Sequence, residues 1–501
     1  MSLKKNVIAN YLGQAWTALV GLVFVPVYIK YLGAESYGLI GVFTLLHACL
    51  AILDMGMTPT LNREMARFTA GAHTPQSIRD LLRSLEVIAF AMAGAIVLLV
   101  WAASGWLASD WLQVERLPIE TVSQAIAIMG VVVALRFAEG IYRGAILGLQ
   151  RQVLFNAVNS LFATLRAVGA VAVLVWVSPT IEAYFLWQGI VSIGSLIVLG
   201  VVAHKHIPQP ARSPRFSRKA VSEVWRFAGG MMVTTFLVLL LMQVDKILLS
   251  RLLSLESFGY YSLAAVVASA ISLLVSPVAQ AFYPRFSEIV AHGDTLELGR
   301  VYHRGAQLVT ALAAPAALML VFFNERILQV WTGDSALVHE VAPLLTLLAV
   351  GNLLNGLMMI PYMLTLAYGW SSFAVRINTV AVVVLVPAII WATLRYGAVG
   401  AAWTWVLLNA GYVVLGIHYL HRRLLPHEMW KWYWQDVALP LAGAAAVVAL
   451  CSSFKLDGGT GISTLSLILA VAAGSTVLAA MLAPAIRQSM FKLLADMRLS
   501  K

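Results

Sequence analysis

Charged side chains are scarce in this chain: Asp, Glu, Lys and Arg make up 11% of its 501 residues. Soluble domains carry about a quarter, so an ordinary globular protein is excluded. Cysteine is scarcer still. The two present, Cys49 and Cys451, both lie in apolar runs, which excludes a disulfide framework or a cysteine metal set and reads both as small buried hydrophobes. Nucleophile motifs, phosphate-binding glycine loops, zinc-ligand spacings and paired catalytic carboxylates are missing, as is any loop long enough to hold a catalytic domain. The chain therefore reads as no enzyme and as needing no cofactor. Short segments of alternating polarity are also missing, which argues against a transmembrane barrel of strands.

Long apolar stretches fill that space. Hydrophobic residues are 60% of the sequence, in runs of about 20 residues repeated from end to end, the mark of an all-α polytopic membrane protein. About fourteen transmembrane helices are expected, near 7–29, 37–57, 85–107, 119–149, 153–177 and 181–203, then 225–250, 258–289, 298–323, 341–366, 373–394, 399–420, 437–454 and 462–486. Lys4 and Lys5 ahead of the first run resemble the start of a signal peptide, but the run is too long for one and reads as a retained helix. The Pro- and Arg-rich stretch His204–Lys219 is the clearest boundary. It divides the chain into an N-lobe at 1–203, a basic cytoplasmic linker at 204–224, a C-lobe at 225–424, and a last pair of helices with a tail at 425–501.

The formal charge of +11 would suggest nucleic acid in a soluble protein, but here it follows the membrane. About 24 of the 34 Lys and Arg fall in loops on the N-terminal side and about six opposite. Both termini are then cytoplasmic, with no nucleic-acid partner. The chain also repeats itself. Leu32-Gly-Ala-Glu-Ser-Tyr-Gly38 follows the first span and Leu253-Ser-Leu-Glu-Ser-Phe-Gly259 the seventh, each leading into another apolar helix with a basic end. Six spans separate the copies, an even number, so the repeats are parallel: two six-helix lobes around a central cavity, plus two C-terminal helices.

Setting aside those near the cytoplasmic ends, about four basic residues remain inside spans: Arg136, Arg143, Arg166 and Lys246. A charge at mid-membrane costs on the order of 2.5–3.5 kcal/mol on insertion scales and normally faces a protein interior or a polar cavity. Arg136, Glu139 and Arg143 are spaced to share one helix face, and Arg166 is central in the next span. Three arginines against one glutamate leave a net positive site. Arg136 and Arg166 are the leading substrate contacts; the competing reading is an ion-pair network with Glu139 that staples two helices. Arg143 lies nearer the cytoplasm, where it can snorkel. Asp245 and Lys246, toward the outer end of span seven, are either an interfacial pair or cavity residues. Asp54, near the inner end of span two, either caps or makes gate contacts to a basic loop, and Arg63, in the basic extension Thr58–Arg67 that follows, is a further gating candidate. Asp54, Glu139 and Asp245 are the carboxylates expected to couple transport to protons or sodium, though none has an ion-site spacing. Asn10 with Gln14, and Asn156 with Asn159, form polar stripes that either join helices or meet sugar hydroxyls. The run Trp430-Lys-Trp-Tyr-Trp434 reads as an interfacial aromatic belt.

Several stretches together resemble one family. They are Ile29-Lys-Tyr-Leu-Gly-Ala-Glu-Ser-Tyr-Gly38, Leu53-Asp-Met-Gly-Met-Thr58 with Arg63-Glu-Met-Ala-Arg67, Leu147-Gly-Leu-Gln-Arg151, Val244-Asp-Lys-Ile-Leu248 with Phe258-Gly-Tyr-Tyr261, and Tyr396-Gly-Ala-Val-Gly-Ala-Ala402. These are similar to the polysaccharide-biosynthesis (O-antigen, Wzx-type) flippases of the multidrug/oligosaccharidyl-lipid/polysaccharide exporter superfamily. The resemblance implies a bacterial inner-membrane protein whose lobes form a V and alternate access. It implies that an undecaprenyl-pyrophosphate-linked oligosaccharide moves from the cytoplasmic to the periplasmic leaflet among membrane lipids, with a glycan polymerase and a chain-length regulator as partners. A lipid II-type flippase, a multidrug antiporter of the same superfamily, and a non-transporting scaffold of a glycan-polymerising complex are the alternatives. An acidic cavity would suit cationic drugs, and the central excess here is positive.

The charge alternation places Glu35, Glu256 and Asp457 outside and residues 204–219 inside. Single cysteines at these positions, probed in intact cells with an impermeant thiol reagent, should label at the first three and stay protected in the linker; the reverse pattern would overturn the topology.

Overall fold

The computed structural model describes residues 3–54, 56–69, 71–208, 212–218, 243–453 and 462–488. Every regular element among these residues is helical, apart from one isolated bridge between Gln113 and Ser254. The protein is an all-α polytopic membrane protein, and 11 helices among the described residues are long and apolar enough to cross a bilayer. One of these, Arg376–Leu424, covers expected spans eleven and twelve, two helices that meet at a kink at Gly397, where the backbone leaves the helical region with φ at 58°. The last apolar helix, Ile462–Leu482, has a shorter strictly apolar stretch, Ser466–Leu482. Most of expected span seven (225–242), parts of the linker, Asp457 and residues 489–501 lie outside the described residues.

The chain forms two compact units, Met1–Gly259 and Tyr260–Lys501. The first contains α1 (Leu3–Val23), α2 (Val25–Leu32), α3 (Ala34–Leu50), α4 (Met57–Thr69), α5 (Pro75–Trp106), α6 (Ile119–Gly148), α7 (Gln152–Trp176) and α8 (Ile181–Lys205). The first apolar run is split at Phe24, two residues before Pro26. Proline has no N–H for the ladder, and its ring crowds the carbonyl one turn back.

Helix α6 is the hub of this unit, packing on α3, α4, α5 and α8. Small residues make this possible. A Cβ at Gly130 would come within 2.8 Å of the Val100 side chain, and one at Gly144 within 2.7 Å of the Thr58 carbonyl oxygen. Between apolar helices in lipid, such close backbone approach supplies the packing that hydrophobic burial cannot.

The two repeat motifs meet within this unit. A side chain at Gly38 would collide with the Leu255 carbonyl, and one at Gly259 with the Ala34 carbonyl. The contacts are reciprocal, since each glycine meets the carbonyl four residues upstream of the other. Both glutamates of the repeat also reach the loop after α5. Glu35 accepts from the N–H groups of Glu115, Arg116 and Leu117 at 2.7–3.1 Å, and Glu256 pairs with Arg116 at 3.1 Å. Glu35 is 5% exposed, and three backbone donors are what a buried carboxylate requires.

In the second unit the helix Thr295–Phe322 packs against Ala270–His292, Ser335–Leu357 and Leu439–Ser453. A buried polar cluster joins it to the aromatic run. His303 lies between two carboxylates, its Nδ1 2.5 Å from Asp436 and its Nε2 3.0 Å from Glu428. Gln307 donates to Asp436 at 2.8 Å and accepts from the Ala485 N–H at 2.8 Å, which ties in the chain beyond the last helix. The aromatic run is therefore only partly a belt: Trp430 and Trp434 are exposed, whereas Trp432 is in the core at 0% exposure.

Asp436 is fully buried and joins both His303 and Gln307, so its removal leaves each short of one buried partner. Asp436→Ala should lower the unfolding free energy of the detergent-solubilised protein by about 3–5 kcal/mol, with Asp436→Asn milder. A melting temperature unchanged in both variants would show that the cluster contributes nothing.

Candidate functional site

The expected charges converge inside the first unit. A cavity of about 330 Å³ is lined by Arg136, Glu139 and Arg143 of α6, Arg166 and Asn159 of α7, and His47, Asp54 and Thr58 from the α3–α4 corner. By helix rise, Arg136 is about 25 Å from one end of α6 and about 18 Å from the other. The site is therefore at membrane depth, where an unpartnered ion is most costly.

The two central arginines are held differently. Arg166 pairs with Glu139, its guanidinium 3.2 Å from Oε1, both side chains mostly buried. Arg136 donates to Gln188 Oε1 at 3.1 Å, and its guanidinium carbon is 4.9 Å from the centre of the Phe43 ring. Gln188 in turn donates to the Arg166 carbonyl at 3.4 Å, so one buried amide links both arginine positions. The Nε groups of Arg136 and Arg166 are buried without a hydrogen-bond partner. Each leaves a charged donor for which the protein supplies no acceptor. Arg143 is exposed at the cavity edge.

Asp54 accepts from the Thr58 N–H at 3.2 Å and its hydroxyl at 2.7 Å, capping the start of α4 while facing the cavity. Its carboxylate changes the charge balance. The lining holds three arginines and two carboxylates, an excess of one positive charge rather than the two read from the sequence.

Other expected site residues lie elsewhere. Asn10 and Asn156 meet each other, with Asn156 Nδ2 donating to Asn10 Oδ1 at 2.6 Å and Asn10 Nδ2 to Gln152 Oε1 at 3.1 Å, so they join α1 to α7. Asp245 and Lys246, in a helical stretch over 243–252, are not among the cavity-lining residues. Arg63 is about half exposed on α4, with Nε 3.9 Å from Glu64. Burial pushes the Glu64 carboxyl up, but hydrogen bonds and charge from His73 and Arg67 outweigh it and hold it below its usual value.

Some residues escaped the sequence reading. His47 lies seven residues before Asp54, a helical spacing that could have paired them. Gln188 was one polar residue in an apolar run. Glu86 and Asp436 are buried carboxylates at 4% and 0% exposure, missed because they stand near the edges of apolar runs.

The model for the family described as polysaccharide biosynthesis protein matches residues 3–290, more than half the chain, and the MatE model matches residues 231–391. The chain belongs to the polysaccharide biosynthesis protein family. Among relatives of the family member, a Shigella flexneri protein named provisionally as an O-antigen transporter is 22% identical over 413 residues, covering 82% of this chain and 96% of its own length. The teichuronic acid biosynthesis protein TuaB of Bacillus subtilis is 23% identical over 361 residues, or 70% of this chain and 72% of that one. Among solved structures, the inward closed lipid II flippase MurJ superposes with a TM-score of 0.73 at 13% identity, covering 95% of this chain and 98% of that one. An inward-facing MATE family multidrug transporter of the MOP superfamily gives a TM-score of 0.62 at 14% identity over 86% and 96% of the two chains. The fold is that of this transporter superfamily.

If Asn10 and Asn156 are a helix joint, a double-mutant cycle with alanine at both should return a coupling of about 0.6–1.7 kcal/mol. A coupling of zero, read by unfolding in detergent, would remove the joint.

Proposed function

We propose that this protein is a flippase for an undecaprenyl-pyrophosphate-linked oligosaccharide repeat unit, which it carries from the cytoplasmic to the periplasmic leaflet of the bacterial inner membrane by alternating access. The observation that carries this reading is the arginine cavity: Arg136, Arg143 and Arg166 line one space within membrane-spanning helices, and two of them keep a buried donor without an acceptor. Such a cargo has a diphosphate and sugars that hydrocarbon rejects, on a lipid that need not leave it. The planar guanidinium fork matches diphosphate oxygens with paired, charge-assisted hydrogen bonds. The O-antigen and teichuronic acid names of the relatives support a glycan cargo.

In this reading 1–203 and 225–424 are the lobes, 204–224 is the cytoplasmic linker, and both termini are cytoplasmic. Glu139 and Asp54 are the ion-coupling candidates nearest the cargo, and a glycan polymerase and a chain-length regulator receive the product. The fold shared with MurJ favours lipid II as the second reading, since that cargo carries the same diphosphate. Rescue of a strain depleted of its own lipid II flippase would support it.

Transport should be lost with Arg136→Ala or Arg166→Ala. Arg→Lys at either position keeps the charge but not the fork and should impair less. Glu139→Gln should disturb the site without abolishing it. The measurement is glycan display on cells deleted for the gene, normalised to membrane-inserted protein. Full display with both alanine variants would end the diphosphate reading, and display lost in step with folded protein would reduce the arginines to helix staples.

A further inference from the structure

The cavity's charges do not match the cargo proposed for it. A diphosphate esterified at both ends, to a lipid and to a sugar, carries two negative charges at neutral pH. The lining offers three arginines against Asp54 and Glu139, an excess of one. Cargo bound there leaves one negative charge uncompensated at membrane depth, which desolvation penalises. One more lining side chain can accept a proton: His47.

We propose that His47 takes up one proton from solvent as the diphosphate binds, so that cargo binding and proton uptake are a single event. This inference rests on the function proposed above.

The groups facing His47 make it the acceptor. On its own helix the neighbour is the Phe43 ring, with centroids 6.5 Å apart. From the corner before α4 come Asp54 and Thr58, from α6 Arg136, Glu139 and Arg143, and from α7 Arg166. The arginines keep their protons. Asp54 already accepts from the Thr58 N–H and hydroxyl, and Glu139 from the Arg166 guanidinium, so a proton arriving on either would compete with a donor already in place. His47 has no hydrogen-bond or ion-pair partner among the described residues. With the cavity unfilled, three arginines oppose a charge on its ring, and an entering dianion reverses that field. The proton remains on the imidazole while the diphosphate is bound and returns to solvent when it leaves.

The test is calorimetry on the full chain in lipid nanodiscs, with a short-chain prenyl-diphospho-N-acetylglucosamine as probe. It is run between pH 7 and 9 in buffers of different ionisation enthalpy. The wild type should take up about one proton per probe, with affinity weakening toward tenfold per pH unit as pH rises. His47→Gln should bind with no net uptake and a flat pH profile. His47→Arg, which fixes the charge and guards against a folding defect in the first variant, should also be flat, at the wild type's low-pH affinity. A wild type that binds without proton uptake, or a His47→Gln protein that still takes one up, overturns the proposal and leaves the arginine cavity standing. A probe that does not bind the wild type overturns the cavity reading and this inference with it.

Discussion

Guanidinium groups near mid-membrane are the constraint on which the first unit depends. An arginine far from both ends of its helix cannot reach water by snorkelling, so the protein must provide partners for it. Arg166 has Glu139, while Arg136 has the Gln188 amide and the face of Phe43. Glu139 is on α6 itself, but Arg166, Gln188 and Phe43 come from α7, α8 and α3, which must be held near it. The small residues of α6 let α4 and α5 approach closely as well. A bulky residue at Gly144 would push away the Thr58 backbone, and with it the corner that brings Asp54 to the cavity.

The two units handle buried charge differently. The first leaves its arginine cluster partly unsatisfied around a space. In the second, His303 is engaged at both nitrogens, Asp436 at both oxygens, and Gln307 extends the chain to the Ala485 N–H. The adjoining Tyr302 hydroxyl, His421 Nε2 and Trp432 Nε1 are buried without a hydrogen-bond partner among the described residues, but they are not among the cavity-lining residues. Polar groups that engage one another specify packing, whereas unsatisfied donors at the edge of a cavity suit a ligand. That contrast supports placing the binding role at Arg136 and Arg166 and a docking role at Asp436.

Much of this was legible because helices in lipid have few ways to place a charge. The 3.6-residue period puts Arg136, Glu139 and Arg143 on one face, and all three line the same cavity as Arg166. Asn10 and Asn156 illustrate the limit: a polar residue in a span shows that a partner exists, not which one, and here they found each other. Asp436 and Glu86 were illegible for another reason. Hydropathy reads depth from neighbours, so a carboxylate near the edge of an apolar run looks solvated even when tertiary packing encloses it. Trp432 was hidden the same way, inside a run whose flanking tryptophans do face outward. The reciprocal contact of Gly38 and Gly259 was half visible, since the motif repeat was plain but not that the copies touch.

A positive excess of only one charge suits a transporter better than a larger one would. A carrier must release what it binds, and a cavity with three unopposed arginines would hold a dianion too tightly to turn over. Glu139 moderates this because it competes with the cargo for Arg166. On the reading proposed here the 3.2 Å pair persists while the diphosphate meets the remaining donors of Arg166, so two anions share one cation. The desolvation of Arg166 is then met with and without cargo. Arg136, whose partner is a neutral amide, shares its charge with no paired carboxylate, so it supplies net attraction while Arg166 sets how readily the cargo leaves.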